Sequence, residues 1–196
     1  MSEKRISTIK RETKETKIYL ELEIDGKGLA EINTDAHFFN HMLESFVKHS
    51  NFNLKLNASG DLERGQHHLI EDIGICLGKA INEALKDKNS INRFGFFILP
   101  MDEAEVCVSL DLCGRSFLRY DVNMPYEIIE QMETIIIEDF FRALASNAFI
   151  TLHISKKSGT NSHHIVEAVF KAAGRAFKQA CLVDSSGTIP STKGSL

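Results

Sequence analysis

The pentapeptide His67-His68-Leu69-Ile70-Glu71 occurs again, 96 residues further along the chain, as His163-His164-Ile165-Val166-Glu167. Each copy begins a stretch whose apolar residues recur with helical spacing. On a helix, residues three and four apart share a face, so the glutamate of each copy can bind a metal ion together with one of its histidines. The other histidine points about 100° away and can reach a second ion. One such motif is typical of a polar helix start, whereas two copies predict a duplicated chain with two metal sites.

The order of elements predicted for the first half of the chain returns in the second half. Alternating apolar residues over 18–24 predict a strand, and the sequence 25–28 (DGKG) predicts a hairpin turn into a second strand over 29–34. A helix, a strand, a polar loop and the helix of the first pentapeptide follow. The second half has predicted strands at 96–99, 104–112 and 116–122, a helix over 127–147, a strand at 149–154 and the helix of the second pentapeptide.

This order predicts the α+β fold class, with two fused and duplicated β-hairpin–α–β–α halves. Residues 38–52 and 135–149 align without gaps, which supports the duplication. We therefore expect a first half over residues 1–92 and a second half over residues 93–184, each with one HHxxE metal motif. The remaining residues, 185–196, contain Gly, Ser and Pro and predict an irregular tail.

Composition argues against several classes of function. The 196 residues are 43% apolar, enough for a sizeable core, and a net charge of −4 without a basic cluster argues against nucleic-acid binding. No apolar run reaches the roughly 20 residues that span a bilayer, and the polar N-terminal residues lack the apolar core of a signal peptide. Cys76, Cys107, Cys113 and Cys181 show no CxxC spacing, so we expect reduced thiols in the cytoplasm. Hydride chemistry and nucleotide binding are disfavoured because the sequence has no GxGxxG or P-loop motif.

Two further histidines extend the metal hypothesis. His41 on the first predicted helix and His153 at the end of a predicted strand bring the candidates to six His and two Glu, enough for two sites of three imidazoles and one carboxylate. This donor set suits Zn, Mn, Fe or Ni and leaves positions open for substrate or water on an octahedral ion. Taken singly, His41 is also typical of an ordinary helix histidine, and His153 of a surface residue at a strand end.

Several polar residues suggest an anion site as well. They have the side-chain types that bind phosphate, and the last two lie in a Gly-containing segment of the tail: Arg93, Arg115, Lys171, Ser191 and Lys193. Taken singly, each of them is more typical of a solvated surface group. Asp102 and Glu103 stand at the start of a predicted strand, where acidic residues serve either as a turn cap or in a functional site.

Seven short segments carry a specific combination of residues, in order along the chain. They are 38–43 (FFNHML), 67–74 (HHLIEDIG), 100–104 (PMDEA), 114–115 (GR), 152–154 (LHI), 161–171 (NSHHIVEAVFK) and 190–194 (PSTKG). With these segments the whole chain resembles the imidazoleglycerol-phosphate dehydratase family of histidine biosynthesis.

The resemblance implies a hydro-lyase that uses two Mn²⁺ ions per subunit. It would remove water from D-erythro-imidazoleglycerol phosphate to give imidazole acetol phosphate, via a metal-bound imidazolate whose electrons expel the C3 hydroxyl. The family's metal ligands correspond to His41, His67, His68, Glu71, His153, His163, His164 and Glu167. The catalytic protons would be moved by Glu15, which matches a family glutamate facing the substrate diol, or by a metal-bound water or carboxylate such as Glu71 or Glu167. The sequence leaves that choice open.

The resemblance also implies a substrate pocket and an assembly. Glu15 and Asp102 would line the pocket, and the tail 185–196 would close over the substrate phosphate. The family's phosphate-binding groups correspond to Arg93, Arg115, Lys171, Ser191 and Lys193. Each half would resemble the second domain of ribosomal protein S5. The subunits would form a hollow homo-oligomer of roughly 24 copies with active sites between subunits, and no nucleic-acid or membrane partner is expected.

The chain departs from the family pattern at a few positions. Asn40 stands where the family has Asp, residues 35–37 (DAH) replace a Gly-containing stretch, and Gln66 precedes the first pentapeptide where Asp or Thr is usual. The Asn40 oxygen can accept the second N–H of the neighbouring His41, but without the charge of an aspartate. We therefore expect activity with a somewhat weaker metal site.

Two other functions are compatible with the motifs. A dinuclear metallohydrolase for phosphate esters would need aspartates that bridge two close metal ions, whereas the candidate set here is dominated by histidine. A metal-storage or structural metal protein would need no phosphate pocket, so a substitution at Lys193 would be silent. Binding of imidazole or triazole compounds to the metal-loaded protein distinguishes these functions from a dehydratase.

Overall fold

A computed structural model describes residues 4–61, 65–86, 88, 90–184 and 190–192. The elements of the first half are β1 (Ile6–Glu12), β2 (Thr16–Glu23), β3 (Ala30–Asn33), α1 (His37–Ser50), β4 (Asn53–Gly60) and α2 (His67–Leu85). Those of the second half are β5 (Phe94–Met101), β6 (Ala104–Asp111), β7 (Phe117–Asp121), β8 (Ile128–Ile129), β9 (Met132–Glu133), α3 (Ile135–Ala148), β10 (Thr151–Ser158) and α4 (Ser162–Cys181).

Each half builds one four-stranded sheet with the same topology. The strand order is β1-β2-β4-β3 in the first sheet and β5-β6-β10-β7 in the second. In both sheets the first three strands are antiparallel, and the fourth joins the edge in parallel. The predicted α+β class and the duplication are confirmed, while the division between residues 92 and 93 stays a prediction.

The predicted hairpin between β2 and β3 is wrong. β3 pairs in parallel with β4, and the antiparallel partner that precedes β2 is β1. The sequence offered no clear signal for β1, because Ile6 is exposed while Ser7 is buried, so apolar residues do not alternate in step with burial. The hairpin of the first half is therefore the β1–β2 turn, which contains Glu15.

The helix predicted over 127–147 begins later than expected. A two-stranded ribbon of β8 and β9 occupies residues 128–133, and α3 starts at Ile135. Glu130 and Gln131 form the turn of this ribbon with φ values of 47° and 66°, a left-handed conformation that helices do not contain. The first half has no ribbon between β3 and α1, which are separated by residues 34–36 only.

Helices of one half pack against helices of the other half. α1 lies against α4 and α2 lies against α3, while α2 and α4 cover the inner faces of the first and second sheet. Glycines permit the close approach, since a Cβ at Gly174 would lie 2.5 Å from the Phe46 carbonyl oxygen, and one at Gly74 would lie 2.6 Å from that of Phe140. The apolar core therefore runs through both halves, and each helix pair contains one helix from each.

The helix ends set the register between the two halves. α1 and α3 each have 14 residues, and each ends at a residue in the left-handed conformation, Asn51 or Phe149. In this register the fifth residues correspond, so His41 on α1 matches Asp139 on α3. The sequence alignment above differs by one position and would have matched His41 with Glu138.

The outer faces of the two sheets differ in polarity. In the first sheet this face carries Thr8, Lys10, Lys17, Glu21 and Lys55, all exposed. In the second it carries Phe94, Phe96, Ile98 and Phe117, which are 54–64% exposed, together with His153. Among the described residues, no helix has both the length and the apolar character that crossing a bilayer requires.

Candidate active site

The start of the second pentapeptide meets α1 in a cluster of three residues, His41, His163 and Glu167, which we call the α1–α4 cluster. Glu167 Oε2 lies 3.7 Å from His41 Nε2 and 3.4 Å from His163 Nε2. One ligand atom from each of the three residues falls within 4.8 Å of the others, a spacing that can hold one metal ion. The close contact of α4 with α1 brings His41 to this position, although it is more than 100 residues away in sequence.

Lys171 also binds the carboxylate of this cluster. Its Nζ lies 2.8 Å from Glu167 Oε1, one helical turn along α4, and 3.8 Å from the Met101 sulfur. Burial alone would raise the pKa of Glu167, but the hydrogen bond from Lys171 and the nearby histidines bring that pKa below its ordinary value. Glu167 is therefore held as a carboxylate, the form that a metal ion requires.

The first pentapeptide forms the corresponding α2–α3 cluster, which consists of His67, Glu71 and Asp139. His67 Nε2 lies 3.4 Å from Glu71 Oε2, one turn along α2, as the helical spacing predicts. On the other side of the ring, His67 Nδ1 lies 3.4 Å from Asp139 Oδ2 on α3. Sequence reasoning did not single out Asp139, because its contact with His67 arises only from the packing of two helices from different halves.

His68 faces away from the α2–α3 cluster toward the β1–β2 turn. Its Nδ1 lies 3.3 Å from Asp61 Oδ1 and 3.9 Å from Glu15 Oε2. One ligand atom from each of Glu15, Asp61 and His68 falls within 4.8 Å of the others. Glu15 is held by the turn, whose backbone carbonyl at Glu15 accepts a hydrogen bond from the Asp61 N–H at 3.0 Å. The predicted pocket residue Glu15 thus lies beside a predicted metal ligand.

His164 is bound by an acidic residue of the β5–β6 turn. Its Nδ1 lies 2.7 Å from Glu103 Oε2, while Asp102, the predicted pocket residue, lies further off at 3.8 Å. Glu103 also accepts hydrogen bonds from the backbone N–H groups of Thr160 and Asn161. The hydrogen bond from His164 and these backbone bonds lower the pKa of Glu103 to about 2, and the same contact raises the pKa of His164.

His153 stands apart from both clusters. It is the third residue of β10, and its exposed side chain points to the outer face of the second sheet. Its ring packs against Phe117 with the centroids 5.6 Å apart. The structure therefore does not bring this predicted ligand to the other candidate ligands of the same chain.

The predicted phosphate-binding residues are placed in two regions. Arg93 forms a bidentate ion pair with Asp111, at 2.6 and 3.0 Å, and its remaining NH1 donates to the Pro190 carbonyl at 2.7 Å. That bond joins two residues that are 97 positions apart in the sequence, and it places Ser191, the residue after Pro190, close to Arg93. Arg115 is exposed before β7, whereas Lys171 lies beside the α1–α4 cluster and contacts its Glu167. Lys193 lies outside the described residues.

Asn40 does not take the role expected of it. Its side-chain oxygen accepts a hydrogen bond from the Thr34 hydroxyl at 2.5 Å, and its amide nitrogen donates to the Thr34 carbonyl at 2.9 Å. Both polar groups are thus used to hold the chain before α1. The ring of His41 instead faces Glu44, one turn further along the helix, at 3.9 Å from its Nδ1.

Three acidic residues at the site were not among the predicted ligands, namely Asp61, Glu103 and Asp139. Each faces the Nδ1 of a pentapeptide histidine that belongs to another element. For Asp61 and Glu103 a weak signal existed, since the first lies in the polar loop before His67 and the second adjoins Asp102. Asp139 gave no signal in the sequence, because its correspondence to His41 becomes visible only when α1 and α3 are matched residue by residue.

The fold and the clusters together define a duplicated α+β protein with two histidine–carboxylate sites, each built by one helix pair. The imidazoleglycerol-phosphate dehydratase family profile matches residues 34–177 of the chain. The chain belongs to this family, and it is therefore a dehydratase, a hydro-lyase of histidine biosynthesis.

Individual relatives agree with this assignment. The imidazoleglycerol-phosphate dehydratase of Thermoanaerobacter sp. (strain X514) is 53% identical over 193 residues, 98% of this chain and all of that protein. The protein of the same name from Oceanobacillus iheyensis is 47% identical, again over 98% of this chain and all of its own length.

Solved structures with the same fold include two dehydratases of this family. The crystal structure of the Staphylococcus aureus N315 enzyme matches with a TM-score of 0.83 at 36% identity, covering 91% of this chain and 99% of that one. The Pyrococcus furiosus enzyme in complex with (S)-C348 matches with a TM-score of 0.83 at 39% identity, covering 96% and 100%.

Proposed function

We propose that the protein removes water from D-erythro-imidazoleglycerol phosphate to give imidazole acetol phosphate. The observation that carries this proposal is the pair of clusters in which imidazole nitrogens and carboxylate oxygens converge, in a chain of the dehydratase family. Neither cluster contains a cysteine, a lysine-bound cofactor motif or a nucleophile with an adjacent base. The reaction class and the donor types are thus consistent with each other.

The clusters fit two Mn²⁺ ions per chain. Imidazole nitrogen with carboxylate oxygen is a donor set that Mn²⁺ accepts, and Glu167 is already held in its charged form. We assign the ligands His41, His67, His68, Glu71, His153, His163, His164 and Glu167. Ions bound there would stabilise negative charge on an imidazole nitrogen of the substrate, which makes the C3 hydroxyl a better leaving group.

The active sites would be completed by a second copy of the chain. His153 lies among the exposed apolar residues on the outer face of the second sheet, out of reach of the clusters of its own chain. Contact of that face with another copy would bury the apolar residues and bring His153 to a neighbouring cluster. We infer a closed homo-oligomer with active sites shared between subunits. The family resemblance implies roughly 24 subunits.

Within the site, Glu15 is the residue best placed to move a proton. Its carboxylate is about half exposed, at 46%, and lies beside His68 without serving the packing of the core. Glu71 and Glu167, in contrast, each face a histidine Nε2, an arrangement that suits metal binding. We therefore assign proton transfer to Glu15 first, with the carboxylates Glu71 and Glu167 as ligands that can share it.

The substrate phosphate would be held by the cationic residues and the tail. Arg93, Arg115 and Lys171 supply positive charge, and the bond from Arg93 to the Pro190 carbonyl supports a place for Ser191 and Lys193 in the same pocket. Asp102, exposed beside His164, would line the opposite side. Closure of residues 185–196 over the phosphate would exclude water from the reacting centre.

A reducing compartment, the cytoplasm, suits the thiols of the chain. Cys76, Cys107, Cys113 and Cys181 are all free, and three of them are buried. Burial raises the pKa of Cys76 to about 11, which keeps that thiol protonated and unreactive at neutral pH.

The deciding experiment is an assay of the purified, manganese-loaded protein with imidazoleglycerol phosphate. We expect an imidazole acetol phosphate product that depends on added Mn²⁺ and disappears with a chelator. A simple phosphate ester tested in parallel should not be hydrolysed. Release of inorganic phosphate without formation of a ketone would instead favour a metallohydrolase, and tight metal binding with neither product would favour metal storage.

A further inference from the structure

Asp72, the residue that follows the first pentapeptide, binds one residue of β1 and one of β2. Its Oδ2 accepts a hydrogen bond from the Thr16 hydroxyl at 2.5 Å, and its Oδ1 lies 2.8 Å from Arg11 NH2. The Asp72 side chain is only 13% exposed, and Thr16 is buried. Both oxygens of this carboxylate therefore join α2 to the two strands on either side of the β1–β2 turn.

The β1–β2 turn is a closed unit that carries Glu15. The Thr13 Oγ1 atom accepts hydrogen bonds from the backbone N–H groups of Glu15 and Thr16, at 3.1 and 3.0 Å. The Thr13 N–H donates to the Thr16 carbonyl at 2.9 Å, and the Glu15 carbonyl accepts the Asp61 N–H at 3.0 Å. Because Glu15 directly precedes Thr16, the bond from Thr16 to Asp72 fixes the backbone from which the Glu15 side chain projects.

The carboxylate also sets the direction of a short chain of hydroxyl hydrogen bonds. A charged carboxylate only accepts hydrogen bonds, so the Thr16 hydroxyl donates its proton to Asp72. The Thr13 hydroxyl lies 3.2 Å from that of Thr16 and donates to it, which leaves the Thr13 lone pairs for the two backbone N–H groups. Asp72 therefore orders the hydrogen bonds that close the turn around Glu15.

The second half holds its corresponding turn in another way. Ala168 follows the second pentapeptide, and its methyl group cannot accept a hydrogen bond from the β5–β6 turn. That turn is held by the side chain of its own Glu103, which accepts two backbone N–H bonds and lies 2.7 Å from His164 Nδ1. In the first half Asp72 holds the turn, and the Glu15 side chain stays 46% exposed.

We propose that Asp72 is a positioning residue for proton transfer by Glu15, acting through Thr16 and Arg11. This inference rests on the role proposed above for Glu15. Asp72 keeps the turn in place while the Glu15 carboxylate stands beside His68, 3.9 Å from its Nδ1. A shift of about 1 Å in a reacting group can cost about 100-fold in rate, so a turn released from α2 should slow the reaction without loss of metal or substrate binding.

The test compares kcat, KM and bound manganese among variants of the full-length, manganese-loaded protein. Asp72→Asn offers one acceptor oxygen where two are needed, and Thr16→Val removes the hydroxyl but keeps the shape of the side chain. The matched control is Glu12→Gln, which removes an exposed ion pair with Lys17 across the same turn. Each of the first two changes is also made in a Glu15→Gln background. Thermal unfolding and light scattering report on fold and assembly, and Thr16→Val carries the test if Asp72→Asn does not fold.

We expect Asp72→Asn and Thr16→Val to lower kcat by about 10- to 100-fold, with KM and bound manganese unchanged. Thr16→Ser keeps the hydroxyl and should recover most of the wild-type kcat, and Glu12→Gln should match the wild type. In the Glu15→Gln background neither change should reduce the residual activity further, because two residues that act through one another are not additive.

Three results would overturn the inference. They are a wild-type kcat in Asp72→Asn and Thr16→Val, an equally large additional loss in the Glu15→Gln background, or a loss of manganese that accompanies the fall in kcat. The last two would leave Asp72 as a residue that stabilises the fold or the metal site. A Glu15→Gln protein with the activity of the wild type would contradict the role proposed for Glu15, and a wild type that forms no ketone would contradict the proposed function itself.

Discussion

The two halves of the chain share their topology but differ in the polarity of their outer sheet faces and in one helix residue beside the pentapeptides. The outer face of the first sheet is polar, whereas that of the second carries exposed phenylalanines and His153. The fifth position of the first helix is His41 in one half and Asp139 in the other. The comparison teaches that the two halves keep the same sheet topology and helix packing, while their sheet surfaces and the residue at this helix position differ.

Two arginines, one in each half, combine a shared arrangement with one difference. Arg5 before β1 binds Asp25 and donates to the Cys181 carbonyl at 2.8 Å, and Arg93 before β5 binds Asp111 and donates to the Pro190 carbonyl at 2.7 Å. The two arginines therefore make equivalent bonds at equivalent places. Within the part of the tail that the structure describes, residues 190–192, it is Arg93 that makes the contact, which places a candidate phosphate group in the second half.

The largest effect should come from removing one histidine from either motif. If the proposed site is right, His67→Ala and His163→Ala each remove one of about four protein ligands, so each should lose bound manganese and at least a hundredfold in kcat/KM. Elemental analysis and the dehydratase assay measure both quantities. If only one variant loses activity while the other keeps its full metal content, the two motifs are not functionally equivalent.

Shortening the chain after Thr188 should have the next largest effect. This truncation removes Pro190, Ser191 and Lys193, and thereby the carbonyl that Arg93 binds. Folding and metal content should be unchanged, but kcat/KM should fall by about a hundredfold or more, because phosphate binding also orients the reacting centre. A truncated protein with unchanged kcat/KM would show that the tail does not bind the substrate phosphate, and that Arg93 then resembles Arg5 in serving the fold alone.

A charged residue placed on each outer sheet face tests whether that face contacts another subunit. Phe96→Glu places a carboxylate on the apolar face, and a phenylalanine buried between copies contributes about 1.5–3 kcal/mol at each contact. Sedimentation or light scattering should show smaller particles. Thr8→Glu is the matched control, at the third residue of β1 as Phe96 is at the third residue of β5, and it should leave the assembly intact. Loss of assembly in both variants would mean that both faces are interfaces.

The smallest effect concerns the Arg5–Asp25 pair. The hydrogen bond from Arg5 holds the pKa of Asp25 below its ordinary value, so this carboxylate stabilises the fold above its unfolded pKa and the contribution is lost as the pH falls through the lower, folded pKa. Because Asp25 is 44% exposed, Asp25→Asn should cost less than about 1 kcal/mol at pH 7. Thermal unfolding should show the difference from wild type shrinking in acid, and a difference that persists below the folded pKa would contradict this origin.

The sequence predicted correctly those features that depend on residues close together in the chain. The contact between His67 and Glu71 follows from one helical turn, and the buried alternation of β2 and β6 follows from strand geometry. The parallel pairing of β3 with β4 was missed, because a turn sequence such as 25–28 says only that the chain reverses and not which strand it meets. Asp139 was missed because its contact with His67 depends on the packing of a helix from the other half.

The crossed pairing of the helices has a consequence for ancestry. Each cluster takes residues from both halves, so a polypeptide of half this length could build a cluster only by associating with a second copy of itself. In such a symmetric dimer both clusters would be identical by necessity. Within one chain that symmetry is not imposed, and the shared helix position carries His41 in one half and Asp139 in the other.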